Sequence, residues 1–90
     1  MAWLNTMTHV QFTEIARLAN SEDNVAIATQ RIEPDTLVNS SEGQFKIQHT
    51  ILEGHRFVLH PISAGQPLLS WALPFGTAIR NLYPGEYVCN

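Results

Sequence analysis

The chain has 90 residues, 44% of them apolar and 14% charged, with a formal net charge of −3. That is the length of one domain, and its five cations (Arg17, Arg31, Lys46, Arg56 and Arg80) form no basic stripe, which excludes a nucleic-acid surface built on clustered charge. No apolar run approaches the ~20 residues of a membrane span, Met1 to His9 is not a signal peptide, and the single Cys89 excludes a disulfide framework and fits a reducing cytoplasm.

Residues 1–9 read as a loose leader and residues 10–90 as the domain. From Phe12 to Ala19 two periods coincide. Phe12, Ile15, Ala16 and Ala19 have helical spacing, while Thr13, Ile15, Arg17 and Ala19 alternate. Asn20 to Asn24 is a polar cluster that predicts a loop, in which Ser21 or Asp23 would cap one helical turn near residues 20–26. Val25 to Ile32, with branched residues at 25, 27, 29 and 32, predicts a strand. Asn39 to Gly43 reads as a turn, and its Asn-Ser-Ser triplet as a polar turn and not a glycosylation site. Phe45, Ile47, His49 and Ile51 then alternate with Lys46, Gln48 and Thr50, the pattern of a half-buried strand. Gly54 interrupts it within Leu52 to Arg56. Phe57 to His60 is a further short strand, and the apolar stretch Leu68 to Leu73 ends in a predicted turn at Pro74-Phe75-Gly76.

One short phrase recurs along this path. Ile32-Glu33-Pro34-Asp35-Thr36-Leu37-Val38 returns as Ile62-Ser63-Ala64-Gly65-Gln66-Pro67-Leu68 and as Leu82-Tyr83-Pro84-Gly85-Glu86-Tyr87-Val88. Each copy opens and closes on an apolar residue and holds Pro or Ala before Asp or Gly, the chemistry of a tight turn between strand ends. Short strands and repeated turns predict an all-β, barrel-like domain with at most a short helical turn. The copies are spaced by thirty and then twenty residues, too irregular for a solenoid. The low charge content points to a surface covered by a neighbouring domain or by a second copy, as in a homodimer.

Asp23-Asn24-Val25-Ala26-Ile27-Ala28, Gly54-His55-Arg56-Phe57, Leu69-Ser70-Trp71-Ala72-Leu73-Pro74-Phe75-Gly76 and Pro84-Gly85-Glu86-Tyr87-Val88-Cys89-Asn90 occur in that order. Together they resemble the N-terminal domain of the altronate and galactarate dehydratase family. That module is the SAF domain, of β-clip fold, found also as a free small subunit in the alpha subunit of sulfolactate sulfo-lyase. The resemblance implies a sugar-acid substrate, water elimination to a 2-keto-3-deoxy acid, and a cytoplasmic enzyme. It also implies that a large C-terminal region, or a separate large subunit, carries the chemistry with a divalent metal such as iron or manganese. This domain itself would bind no cofactor and would help form or close the substrate site. Departures from the family pattern are Asn20 and Ser21 where many members have His-Pro, Gly54-His55-Arg56 for Gly-His-Lys, and Cys89-Asn90 where one branch has paired histidines.

On this basis His55, Arg56, Asp23 and Asn24 are the candidate substrate-binding residues. An imidazole at His55 binds metal, passes protons or meets a carboxylate. The Arg56 guanidinium suits a sugar-acid carboxylate, and a surface pair with Glu53 or Glu42 is its structural alternative. Asp23 and Asn24 either contact substrate from a loop or close their own turn. Glu86 is placed to pair with Arg80. Trp71, Leu73 and Phe75 form either a contact face or part of the core. No complete catalytic set is present, since elimination needs a base and an acid or metal around a held substrate. A non-catalytic carbohydrate- or partner-binding module and an oligomerisation domain are the alternatives from other functional classes.

Overall fold

Short strands dominate the architecture because turn residues break the chain every few positions. A computed structural model describes residues 8–88. Residues 1–7 of the expected leader, and Cys89, lie outside the described residues. The elements are β1 (His9–Gln11), α1 (Phe12–Ile15), β2 (Ala16–Arg17), β3 (Val25–Ala28), β4 (Leu37–Ser40), β5 (Gly43–Lys46), β6 (Arg56–Val58), β7 (Pro67–Ser70), β8 (Leu73–Thr77) and β9 (Tyr87–Val88). They form a three-stranded sheet β1-β4-β5, a four-stranded sheet β2-β3-β6-β9 and the hairpin β7-β8. Among the described strand pairs only β1–β4 runs parallel. The domain is all-β with one helical turn, as expected, and its sheets do not close into one barrel.

That helical turn sits at Phe12–Ile15 and not near residues 20–26. The two periods over Phe12 to Ala19 are both real and are used in succession. Ile15 buries itself from the turn, and Ala16 and Arg17 then pair with Ala28 and Ile27 as β2. Glu14 accepts the Gln11 backbone N–H at 2.7 Å and secures the entry. At Asn20 to Asp23 a tight turn forms instead of a helix, because the Asp23 carboxylate and the Asn20 amide take up the local N–H groups.

The repeated phrase has four copies among the described residues, one more than the sequence indicates. Thr36, His55, Gln66 and Glu86 each donate a backbone N–H to the carbonyl three residues earlier. In each turn the preceding residue has positive φ: Asp35 (69°), Gly54 (84°), Gly65 (89°) and Gly85 (97°). The copy missed in sequence is Ile51-Leu52-Glu53-Gly54-His55-Arg56-Phe57, whose centre is Glu-Gly.

Each turn is held by the residue that stands four positions before the partner copy. Ile47 accepts from Asp35 N–H and donates to Thr36 O, while Ala28 accepts from Gly54 N–H and donates to His55 O. Ala78 does the same for Gly65 and Gln66, and Val58 for Gly85 and Glu86, at distances of 2.7–2.9 Å throughout. Ile32 pairs with Ile51, and Ile62 with Leu82. The clasps are reciprocal: the first two turns grip each other and the last two do likewise. This exchange explains why the predicted strands over Val25–Ile32 and Phe45–Ile51 stop at Ala28 and Lys46. Beyond those points the backbone bonds are given to turns.

Two cores follow from the two pairs. Ala28, Ile32, Ile47 and Ile51 join Ile15, Val38 and Phe57 in the first, and Val58, Ile62 and Ala78 join Val25, Leu68 and Val88 in the second. Ala26 and Phe57 face the first core while their neighbours Val25 and Val58 face the second, so the β3–β6 pair is the wall between them.

The expected Arg80–Glu86 pair is present. Glu86 Oε1 accepts from Arg80 Nη2 at 2.7 Å, and Oε2 accepts the Tyr83 N–H at 2.7 Å. The Arg80 hydrogen bond is the main cause that holds the Glu86 carboxyl below its ordinary value. A carboxyl lowered on folding adds stability fully present above its unfolded value, about 4.3, and lost as the pH falls through the folded one. In urea titrations, Glu86→Gln is expected to lower the midpoint at pH 7 and to reach parity with the parent in acid below that window.

Candidate functional site

Two adjacent polar residues set up the most distinctive surface. Asp23 leaves the turn before β3 and is 1% exposed. Its Oδ1 accepts the Ala72 N–H at 2.7 Å, and its Oδ2 accepts those of Trp71 (2.9 Å) and Asn20 (3.0 Å). Trp71 and Ala72 both have φ of 60°, a conformation that disfavours side chains other than glycine. The buried carboxylate compensates for this strain by ordering both N–H groups. Asn24 grips the same hairpin further back, with Oδ1 accepting from Leu69 N–H at 2.8 Å and Nδ2 donating to Pro67 O at 3.0 Å.

The hairpin therefore turns at Trp71-Ala72, not at the predicted Pro74-Phe75-Gly76. Those three residues lie in β8, where Leu68 pairs with Gly76 and Leu69 with Pro74, so that Phe75 is the extra residue of a bulge. Two non-glycine residues in a left-handed turn are illegible locally, because Asp23, which stabilises them, is 48 residues away.

Trp71 and Leu73 are 53% and 66% exposed. They border a groove of about 440 Å³ completed by Arg56, Ser70, Pro74 and Phe75. Arg56 Nε donates to Ser70 Oγ at 2.8 Å, and its guanidinium carbon stands 5.4 Å from the Phe75 ring centre. Across the hairpin tip, Arg17 stands 5.2 Å from the Trp71 ring centre. Two guanidiniums and two aromatic rings thus flank one hairpin. The groove suits an anionic ligand with carbon–hydrogen faces, its carboxylate beside a cation and its chain against the rings.

Three of the four candidates, Asp23, Asn24 and Arg56, are brought to this hairpin. Asp23 and Asn24 hold it from beneath, and Arg56 lines the groove itself. His55 is placed elsewhere: its Nδ1 lies 3.0 Å from Tyr87 Oη and the two rings stack at 5.8 Å. Glu42 pairs with His60 at 2.8 Å. Trp71 and Leu73 form the exposed face allowed for in the sequence, whereas Phe75 packs partly against the second core. Ser70 stands in the sequence only as part of the Leu69 to Gly76 motif, and the alternation through Arg17 marks a strand and no more.

Among the described residues, no three His, Cys, Asp or Glu side chains come together as a divalent metal would need. The donor set here does not fit the iron or manganese that the resemblance implies for the whole enzyme, and no step is derived through one.

Residues 15–90 match the family model of the altronate/galactarate dehydratase SAF domain. The chain is also similar to altronate dehydratase of Escherichia coli (strain K12), 29% identical over 66 residues. The aligned segment makes up 73% of this chain but only 13% of that protein.

Proposed function

The chain belongs to the altronate/galactarate dehydratase SAF domain family, and from that premise we propose that it is the accessory domain or small subunit of a sugar-acid dehydratase, presenting the β7–β8 groove to the substrate site. The observation that carries this reading is the pairing of family membership with a groove whose charge is cationic in a chain of net charge −3. Such an enzyme removes the proton next to the substrate carboxylate and expels the neighbouring hydroxyl as water, leaving an enol that becomes the 2-keto-3-deoxy acid. Proton removal needs a base. The carboxylate beneath the hairpin, Asp23, is engaged by three backbone N–H groups. Arg56 supplies positive charge for the substrate carboxylate, and the Trp71 and Phe75 rings supply shape. The base, the acid and the iron or manganese belong to the large catalytic region, of which this domain is the cytoplasmic companion.

The test is a steady-state assay with altronate and galactarate, on the chain alone and combined with a large dehydratase region. No turnover is expected from the chain alone with iron or manganese, and turnover is expected from the combination. In the combination Arg56→Met should raise KM about tenfold with little change in kcat, the signature of lost uniform binding, and Arg56→Lys should restore part of it. Turnover by the chain alone, or an unchanged KM in a folded Arg56→Met complex, would refute the assignment.

A further inference from the structure

The thirty-residue offset that carries Ile32 onto Ile62 also carries Ser40 onto Ser70, and beside each serine the hairpin tip borders a concavity. At Ser70 this is the cationic groove. At Ser40 it is a second cleft of about 470 Å³, lying between α1, the β4–β5 tip and the exit from β6. Its floor is Phe12, Leu18 and Leu59, half-buried residues packed on the first core. Over that apolar floor stands a polar rim with Asn39, Ser41, Glu42 and His60.

The chemistry of this rim differs from that of its counterpart. His60 Nδ1 lies 2.8 Å from Glu42 Oε1, so a residue just past β6 meets a residue of the hairpin tip, as Arg56 of β6 does with Ser70. Asn39 Oδ1 accepts from Gln44 Nε2 at 2.9 Å, which leaves its amide nitrogen as a donor. Neither Lys nor Arg lines the cleft. Glu42 is the acidic residue of the lining, and a carboxylate here accepts hydroxyl hydrogens and repels anions.

We propose that this cleft binds a neutral polyhydroxylated molecule of about one sugar unit, its carbon–hydrogen face on Phe12, Leu18 and Leu59 and its hydroxyls on Asn39, Ser41, Glu42 and His60. The volume falls in the range of small-ligand sites, roughly 300–1,000 Å³, and an apolar floor with a few convergent polar groups is their usual build. The duplicated scaffold then carries two sites of opposite selectivity, one for acids and one for neutral polyols. This holds whether or not the groove at Ser70 serves a dehydratase.

Sorbitol and gluconate separate the possibilities, because they share a polyol chain and differ in one carboxylate. Titrated into the 90-residue chain and followed by amide chemical shifts, sorbitol is expected to move Asn39, Ser41, Glu42 and His60 saturably. Gluconate should bind there at least about fivefold more weakly. Glu42→Gln, at an exposed position, should narrow that ratio to about two, and His60→Phe should weaken sorbitol about fivefold. If His60→Phe disturbs the fold, Glu42→Gln alone decides. Shifts that stay linear with sorbitol, gluconate binding as tightly as sorbitol, or a ratio unmoved by Glu42→Gln would overturn the proposal.

Discussion

Replacing Asp23 with alanine is expected to cost about 3 kcal/mol, the largest loss from any single polar side chain here. The carboxylate accepts three backbone N–H groups from a site that is 1% exposed. Hydrogen bonds to a charged group contribute about 1.5–3 kcal/mol each, and they do not add fully when they share one acceptor. Alanine also leaves Trp71 and Ala72 in a left-handed turn without what compensates its strain. In a domain this size the melting temperature should fall by roughly 12–24 °C. Asp23→Asn should lose somewhat less, since one oxygen remains to accept while its amide group faces donors. Calorimetry gives the total, and amide exchange should show Trp71 and Ala72 opening before the rest. A melting temperature within about 2 °C of the parent would mean that the hairpin holds itself.

Gly85→Ala should be as damaging for a different reason. Gly85 has φ of 97°, and a Cβ there would overlap the Lys46 carbonyl oxygen and lie 2.9 Å from its carbon. Backbone is on both sides of that clash, so a rotamer change cannot relieve it. The fourth turn would have to withdraw from the end of β5, breaking the bond that Gly85 N–H donates to Val58 O at 2.9 Å and the one that Gly85 O accepts from Gln48 N–H at 3.0 Å. Together these effects amount to about 3–4 kcal/mol. Gly65→Ala is the internal control. Gly65 has φ of 89° in the equivalent turn with open space around it, so only the conformational penalty of about 1 kcal/mol remains. Urea midpoints of the two variants measure the difference directly; equal losses would show that the contact with Lys46 does not bind the fourth turn to the first half.

These two residues also show what was legible in the sequence. Gly85 stands in a repeated phrase, and its turn could be read from Pro-Gly between apolar ends. The same reading reached the turns at Asp35 and Gly65 and passed over that at Gly54, although Ile51 and Phe57 flank it at the same interval. What no local pattern conveys is the reciprocal grip of paired turns, because Ile47 and Ala28 act on turns elsewhere in the chain. The left-handed Trp71-Ala72 turn is hidden for the same reason. At the groove, the sequence singled out Arg56 by residue type and family resemblance, and left Trp71 and Leu73 open between a contact face and the core. The placement of His55 on Tyr87 was not legible, since it depends on the pairing of β6 with β9.

Amide hydrogen exchange on the chain, alone and combined with a large dehydratase catalytic region, tests the accessory-domain reading most directly. Protection is expected to rise along the Ser70–Thr77 hairpin and at Arg56, with the turns at Asp35 and Gly54 unchanged. Protection that appears away from this hairpin, or none in a combination that turns over sugar acid, would contradict it.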